Sequence, residues 1–379
     1  MKPIAIEGRK VGSGKPTFVI AEIGVNHDGS LPRAMELVRI AKDCGADAVK
    51  LQVFSAQSLM HASSSFAGYQ KERCDDADPS AMLRKYELTG DALREVVACI
   101  RELGMVALAT PFSPADVEAV ESLDLPAVKI ASPDIVNRVL LRRVAETGRP
   151  MLVSCGAATM DEVSDAVGWL REWNASFALL HCVSSYPTPA EQANLCWIAE
   201  LASWFDVPVG YSDHTTEVHS GAIAAAFGAS IVEKHLTYDR AAPGPDHAAS
   251  ADPEQFASYV AMIRSTDAMR GVARKCVLDI ERDVRKVSRQ SLVLARPLGA
   301  GEIVSERDVT VQRPGTGIPA AEITLAIGKR NLEVHLWQVD HKLWNARYRN
   351  PYLFISAGQR SAVATCEYDI VNASAFVYR

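Results

Sequence analysis

The sequence lacks the features that mark several large classes of protein. It contains no run of about 18 apolar residues, and its start, MKPIAIEGRK, has no apolar signal core, so we expect neither a membrane span nor a secretory signal. The net charge is −6, and Lys and Arg are spread along the chain. This distribution argues against a nucleic-acid partner or an acidic membrane surface. We therefore expect a cytoplasmic protein.

The cysteines also lack the spacing of a metal or redox motif. The chain has eight cysteines, and none of them forms a CxxC pair. Several lie inside apolar helix or strand patterns, where a free cysteine behaves as a small hydrophobic residue. We expect them to be reduced and structural.

What the sequence does contain is a regular alternation of strand and helix patterns from about residue 17 to about residue 270. Apolar runs predict strands at 17–24, 48–54, 105–112, 127–132, 151–156, 177–185, 207–214 and 230–238. Stretches between them, such as 31–45, have apolar residues at the three-to-four spacing of helices. Eight strands, each followed by a helix, predict a (β/α)8 barrel (TIM barrel). A doubly wound open sheet is the main alternative, but neither GxGxxG after the first strand nor GxxxxGK[ST] occurs.

The pattern changes near residue 280. Residues 288–319 are strand-like, with glycine at the turns and no long helix. We therefore predict a catalytic barrel at 1–280 and a small β-rich domain at 281–335. The remaining segment, 336–379, has neither rhythm, and we assign it no function.

Polar residues follow the apolar halves of most of the predicted strands. In a (β/α)8 barrel, the C-terminal strand ends surround the active site. The residues at those ends are Glu22, Asn26, His27, Lys50, Gln52, Thr110, Lys129, Ser132, Asp134, His181, Ser184, Tyr186, Ser212, Asp213, His214, Glu233, Lys234 and His235. This pattern predicts an enzyme rather than a structural barrel.

His214 and His235 form a candidate metal pair. They end consecutive parallel strands, which lie about 4.8 Å apart, so both imidazoles can reach one divalent ion at about 2.1 Å. Glu22 can join them across the closed barrel. Imidazole and carboxylate ligands with open positions suit Mn, Zn or Fe and make a Lewis acid for a carbonyl oxygen. The alternative is that each histidine only hydrogen-bonds within the barrel.

Three lysines within strands allow several interpretations, because an unpaired buried ammonium group is costly. One of Lys50, Lys129 and Lys234 can serve as a Schiff-base nucleophile. Together with nearby hydroxyl groups, they can instead bind a phosphorylated carboxylic acid, or they can pair with barrel carboxylates. Strand alternation points Lys234 away from His235, which favours a structural role for Lys234. Asp246 and His247, on a Pro/Gly-rich loop, either contact a polyhydroxy substrate or are solvated.

Several motifs, in order along the chain, resemble the sialic acid synthase family. They are FVIAEIGVNHDGSL, GADAVKLQVF, ATPFS, VKIAS, LLHCVSSYPTP, GYSDHT and VEKHLTYDRAAPGPDHAAS. RQSLVLARPLGAGEIVSERDVTVQRPGTGIP is similar to the antifreeze-like (SAF) domain that follows the barrel in this family. The resemblance covers about residues 1 to 330. It implies condensation of phosphoenolpyruvate (PEP) with an N-acetylated amino sugar, giving a nine-carbon acid and phosphate.

The resemblance also implies roles for individual residues. His214 and His235 would ligate Mn²⁺, with Mg²⁺ or Co²⁺ as alternatives, and Glu22 would orient a water molecule and the aldehyde. Contacts to PEP would come from Lys50, Thr110, Lys129, Ser132, Ser184 and Ser212. Contacts to the sugar would come from Gln52, Asp134, Tyr186, Asp246 and Arg313. Arg313 would reach into the barrel of a partner subunit, which implies a domain-swapped homodimer.

The sequence departs from the family pattern at several places. Position 184 is Ser where the family often has Asn, position 134 is Asp where Glu is common, and the stretch CDDADPS at 74–80 is unfamiliar. The family pattern stops after 327–330, which leaves the small domain incomplete. The sugar stays open between N-acetylmannosamine and a 2,4-diacetamido relative. A Schiff-base sugar-acid lyase using Lys129 or Lys234 and a non-catalytic sugar-binding barrel are the competing functions.

Overall fold

The computed structural model describes residues 2–60, 78–272, 274–313, 317–331 and 337–338. The chain divides into two compact units, Met1–Val272 and Ala273–Arg379. The domain boundary predicted between residues 280 and 281 lies inside the second unit. No helix among the residues so described is long and apolar enough to cross a membrane.

The first unit begins with a short antiparallel hairpin, β1 (Ile4–Ile6) and β2 (Arg9–Val11). The hairpin was not predicted, because strands of three residues are too short to show an alternation pattern. Its buried residues Ile4, Ile6 and Val11 pack with the first residues of barrel strands, such as Phe18 and Ile231. The hairpin therefore covers the N-terminal end of the barrel with apolar side chains.

Eight parallel strands then form a closed barrel. They are β3 (Phe18–Glu22), β4 (Ala48–Val53), β5 (Val106–Pro111), β6 (Val128–Ile130), β7 (Met151–Ser154), β8 (Phe177–Cys182), β9 (Val209–Asp213) and β10 (Ile231–His235). Each strand pairs with its neighbour in sequence, and β10 pairs with β3 to close the barrel. The predicted (β/α)8 barrel is confirmed.

Helices surround the strands, and their starts follow local sequence signals. They are α1 (Leu31–Asp43), α2 (Ala56–Leu59), α3 (Pro79–Arg84), α4 (Gly90–Glu102), α5 (Pro114–Ser122), α6 (Arg138–Ala145), α7 (Met160–Glu172), α8 (Trp197–Phe205), α9 (Ser220–Ala226) and α10 (Pro253–Arg270). Ser30 caps α1 and Thr159 caps α7 by accepting a backbone N–H with the side-chain hydroxyl. Apolar helix faces pack on the outward residues of the strands, so the main core lies between the barrel and the helices.

The second unit contains α11 (Arg282–Ser288) and a three-stranded sheet. In this sheet β11 (Ser291–Leu294) pairs antiparallel with β12 (Val309–Gln312) and parallel with β13 (Trp337–Gln338). Leu292, Ile318 and Ala326 form a small buried core. The predicted small β-rich region is confirmed, and residues 339–379 of the predicted tail lie outside the described residues.

Candidate active site

Several of the polar residues predicted at the strand ends converge at the mouth of the barrel, the end formed by the C-terminal ends of the eight strands. Strand register places His235 beside Glu22, and Glu22 beside Lys50. Lys129 comes from β6, across the barrel from β10, whereas Ser212 lies beside Glu233 on the neighbouring strand β9, and both are buried. The fold therefore brings together groups that are far apart in sequence, such as Glu22 and His235.

Four charged groups form a continuous buried network inside the mouth. The Lys50 ammonium contacts the Glu22 carboxylate, donates to Thr110 Oγ1 at 2.8 Å and lies 3.8 Å from Glu233 Oε2. Glu233 Oε1 lies 3.7 Å from Lys129 Nζ. The two lysines predicted as PEP ligands are thus joined through one carboxylate.

Glu233 is a site residue for which the sequence predicted no role. Its side chain accepts a hydrogen bond of 2.9 Å from Ser212 Oγ, and its other oxygen, Oε2, is buried without a hydrogen-bond donor among the described residues. The available signal was strand alternation, because Glu233 and His235 lie two residues apart on β10 and so face the same way. The Glu233 carboxylate therefore contacts both lysines and the Ser212 hydroxyl group.

The two carboxylates of the network titrate differently. Burial raises the pKa of Glu22 to about 7. Burial also acts on Glu233, but Lys129 and Lys50 outweigh it and hold the pKa of that carboxyl below its ordinary value. Two carboxylates with pKa values pushed apart are the usual sign of a division of labour in an active site.

The two lysines differ as well. Burial opposes charge on Lys50, but the carboxylates of Glu22 and Glu233 outweigh burial and raise its pKa. Burial lowers the pKa of Lys129. Lys129 Nζ donates to Ser154 Oγ at 2.7 Å and to the Ile130 carbonyl at 3.0 Å, which fixes its position.

Ser132 and Ser184 converge on the backbone of Gly156, just beyond β7. The Gly156 N–H donates to Ser132 Oγ at 3.1 Å. A Cβ atom at position 156 would lie 2.8 Å from Ser132 Oγ and closer still to Ser184 Oγ. A side chain at position 156 would therefore force these hydroxyl groups to shift, and neither Ser154 nor Gly156 was predicted as part of the site.

His214 and His235 have ring centroids 5.6 Å apart. The Nδ1 atom of His214 lies 2.8 Å from the Val183 carbonyl, which orients the ring and leaves Nε2 available as a ligand. Burial, with His214 as a lesser cause, lowers the pKa of His235 well below its ordinary value, so this imidazole is neutral. Its buried Nδ1 has no hydrogen-bond partner within the described part of the chain, and Asp246 Oδ2 lies 3.5 Å away.

These two imidazoles fit a divalent ion, but the described residues do not place a third protein ligand beside them. No group of three or more His, Cys, Asp or Glu side chains among the described residues has the arrangement of a metal site. Glu22, which was expected to be able to join the pair, instead contacts Lys50 and accepts from Gln52 Nε2 at 3.3 Å.

Lys234 lies outside the barrel interior, as strand alternation predicted. Its ammonium pairs with Asp213 Oδ2 at 3.0 Å and donates to the Thr215 carbonyl at 2.7 Å. Tyr259 on α10 donates to the same Asp213 oxygen at 2.9 Å. Lys234 is 2% exposed, so it is a buried structural cation, and a Schiff-base role for it is not supported.

Two further predicted sugar ligands, Tyr186 and Asp134, belong to the barrel unit, whereas Arg313 belongs to the second unit. The Tyr186 ring lies over His214, with centroids 4.0 Å apart. Asp134 lies in a 3-10 turn, Ser132–Val136, where it accepts from Asn137 Nδ2 at 3.1 Å, and burial raises its pKa. Arg313 is exposed on the second unit, just after β12. Its predicted role in a partner's barrel stays a prediction, and residues 74–77 of the unfamiliar loop lie outside the described residues.

Comparison with known proteins identifies the family. A model of the NeuB family matches residues 37–275. The chain belongs to the NeuB family. A model of the SAF domain matches residues 289–331, in agreement with the small β-rich unit. The predicted resemblance to sialic acid synthases is thereby confirmed, and so is the prediction of an enzyme of that type.

Several relatives of this NeuB-family chain are named as acid synthases. The N,N′-diacetyllegionaminic acid synthase of Legionella pneumophila is 36% identical over 339 residues, covering 88% of this chain and 95% of the relative. Human N-acetylneuraminate-9-phosphate synthase is 32% identical over 335 residues, covering 87% and 93%. The crystal structure of the N-acetylneuraminic acid (sialic acid) synthetase from Leptospira borgpetersenii in complex with citrate has a TM-score of 0.69 and 30% identity, covering 75% of this chain and 95% of that chain.

Proposed function

We propose that the chain condenses PEP with the open-chain form of an N-acetylated amino sugar, giving a nonulosonic acid and phosphate by C–O cleavage. The observation that carries this proposal is the buried network of Lys50, Glu22, Glu233 and Lys129 next to the His214–His235 pair. It offers fixed cations for an anionic substrate beside two imidazoles, of which His235 has its pKa lowered by burial. Membership of the NeuB family supports the same reaction.

PEP is assigned to the lysine side of the mouth. Two ammonium groups match its phosphate and carboxylate, and hydroxyl groups complete the hydrogen bonds. The residues proposed for this role are Lys50, Thr110, Lys129, Ser132, Ser184 and Ser212. Because they are held by protein contacts before substrate arrives, orientation of the two reactants contributes on the order of 7–11 kcal/mol in favourable cases.

The bond changes balance without an external co-reactant. Carbon 3 of PEP attacks the aldehyde carbon, and the aldehyde oxygen becomes a hydroxyl after gaining a proton. Water adds to carbon 2 of PEP, and the tetrahedral intermediate expels phosphate with the bridging oxygen. Glu22 is proposed to orient that water and to accept its proton, a task suited to a carboxyl with a pKa of about 7.

A divalent ion at His214 and His235 belongs to this proposal, with Mn²⁺ as the first choice and Mg²⁺ or Co²⁺ as alternatives. When bound, it supplies Lewis-acid polarisation of the aldehyde oxygen. The chain itself contributes two imidazoles, one of which is oriented through the Val183 carbonyl. Chelation with EDTA is expected to remove turnover, and full activity after exhaustive chelation would remove this part of the proposal.

The proposed sugar ligands are Gln52, Asp134, Tyr186 and Asp246, with Arg313 contributed by the partner in a domain-swapped homodimer. The test is a panel of N-acetylmannosamine, its 6-phosphate and 2,4-diacetamido-trideoxyhexoses, each incubated with PEP. Phosphate release with one of these sugars, and none with PEP alone, is expected. Absence of release with every sugar would favour a non-catalytic sugar-binding barrel.

A Schiff-base lyase is the second candidate, because burial lowers the pKa of Lys129, as a nucleophilic lysine requires. The hydrogen bonds from Lys129 to Ser154 and Ile130 instead fit a fixed cation. Treatment with borohydride and pyruvate separates the two candidates. We expect no covalent adduct, whereas an adduct on Lys129 would contradict the synthase.

A further inference from the structure

A partly buried hydrogen-bonded group joins two loops where the first and last barrel strands meet. His247 is 1% exposed, and both ring nitrogens have partners: Nδ1 lies 2.7 Å from Thr237 Oγ1 and Nε2 lies 3.0 Å from Asp28 Oδ1. The second Asp28 oxygen accepts from the Tyr238 hydroxyl at 2.8 Å. We call Asp28, Thr237, Tyr238 and His247 the clasp.

The clasp closes a long chain separation. Asp28 follows β3, whereas His247 follows β10, and these strands pair to close the barrel. Arg33 adds a further contact between the two segments, because its guanidinium carbon lies 3.5 Å from the Tyr238 ring centroid. With both ring nitrogens engaged and the ring buried, His247 has no free atom for a substrate.

A second set of hydrogen bonds fixes the loop around Asp246. Ser250 Oγ donates to the Asp246 carbonyl at 2.7 Å, and Asn26 Nδ2 donates to Ser250 Oγ at 2.8 Å and to the Leu236 carbonyl at 2.9 Å. Asn26 and Asp28 lie on the same loop. This loop therefore bonds to the β10 loop on both sides of Asp246, whose Oδ2 lies 3.5 Å from His235 Nδ1.

The backbone of both loops is adapted to this arrangement. Asp28 has a φ of 53°, in the left-handed region that Asp and Asn tolerate better than most residues. Gly244 has a φ of 152°, and a Cβ atom there would lie 2.7 Å from His247 Cδ2. A strained backbone conformation of this kind persists only where surrounding contacts stabilise it.

We propose that Asp28 and His247 are positioning residues that hold Asp246 beside His235 and so set the geometry at the aldehyde end of the site. This inference rests on the proposed function for its kinetic consequence, but the clasp itself is a feature of loop geometry. Lys129 and Ser132 come from β6 and the turn after it, so the PEP side is not held by the clasp.

The kinetic test compares Asp28→Asn, Asp28→Gly and His247→Ala. Asp28→Asn keeps an oxygen acceptor and the left-handed turn, whereas Asp28→Gly keeps the turn and removes the acceptor. We expect kcat to fall on the order of 10–100-fold in Asp28→Gly and His247→Ala, the range found for outer partners of site residues. The KM for PEP is expected to stay within about twofold of wild type, and Asp28→Asn to retain most of kcat. Equal kcat in all three variants and wild type would overturn the inference.

Hydrogen–deuterium exchange provides a readout that does not depend on turnover. Amides in 239–250 are expected to exchange faster in Asp28→Gly and His247→Ala, with no change in 128–136, and Asp28→Asn is expected to match wild type. Unchanged exchange in 239–250 would overturn the clasp even if kcat fell. If wild type released no phosphate with any sugar but exchange followed this pattern, the proposed function would fail and the clasp would stand.

Discussion

Glu22 and Glu233 show how one cavity gives two carboxylates different tasks. Both are buried, but Glu22 has a single close ammonium partner, whereas Glu233 lies between Lys50 and Lys129 and accepts from Ser212. The pKa of Glu22 is therefore raised by burial, and that of Glu233 is lowered by the lysines against burial. Glu22 is the group able to exchange a proton near neutral pH.

The raised pKa of Glu22 predicts a pH dependence. If its carboxylate accepts the proton of the attacking water, kcat/KM rises with pH as Glu22 ionises, with an apparent pKa of about 7. Glu22→Gln is expected to lose this limb together with most of kcat. Initial rates of phosphate release from pH 5.5 to 8.5 measure it. A profile that falls with pH through 7 would assign the protonated form of Glu22 to the reaction instead.

Glu233→Gln tests the carboxylate between the lysines. The substitution leaves two buried ammonium groups with one fewer negative neighbour, and breaking a buried ion pair costs about 3–5 kcal/mol of unfolding free energy. Since PEP brings negative charge to the same lysines, PEP should stabilise Glu233→Gln more than wild type. Urea unfolding with and without PEP measures both effects, with Glu217→Gln as a partly exposed control. Equal stabilisation by PEP in variant and wild type would contradict this assignment.

At the scale of elements, the glycine after β7 sets the shape of the PEP side. A Cβ atom in Gly156→Ala would displace Ser132 and Ser184, so we expect the KM for PEP to rise about tenfold, equivalent to about 1.4 kcal/mol of binding. Gly168→Ala is the matched control, because position 168 lies in α7 with no atom within 4 Å of the added Cβ. That change should stabilise the fold by roughly 0.5–1 kcal/mol. An unchanged KM in Gly156→Ala would show that the hydroxyl groups do not bind PEP.

The barrel strands were predictable because apolar runs alternate with helical patterns along the chain, as in β4 and α4. The hairpin β1–β2 was not, because its pairing depends on only three residues in each strand. The 3-10 turn at Ser132–Val136 also follows from tertiary packing rather than periodicity. The presence of a strand or helix could therefore be predicted wherever its hydrophobic pattern was long enough.

At the scale of the whole molecule, the sequence indicated which side chains reach the mouth but not how they pair there. The contacts of Glu233 with Lys50 and Lys129 join strands β10, β4 and β6. Only closure of the barrel brings these three strands together. The same closure creates the clasp between Asp28 and His247, residues that no local pattern connects. Strand alternation did separate Lys234 from the site.

The proposed exchange of the small domain predicts complementation between two defective chains at a sugar concentration well below the raised KM. Arg313→Ala is expected to raise the KM for the sugar, and Glu22→Gln to remove turnover. If Arg313 serves the partner's barrel, mixed dimers contain one site with both wild-type residues, so mixing after mild dissociation should restore activity. Phosphate release from the mixture, compared with each variant alone, measures this. No recovery in verified mixed dimers would mean that Arg313 acts within its own chain or not at all.

The central claim is condensation of PEP with an amino sugar through C–O cleavage. The most direct test is to supply PEP labelled with ¹⁸O at the bridging oxygen, together with the sugar panel, and to follow the label in phosphate by ³¹P NMR. The account predicts sugar-dependent release of phosphate that carries the label. Unlabelled phosphate, or no phosphate with any N-acetylated amino sugar, would contradict it.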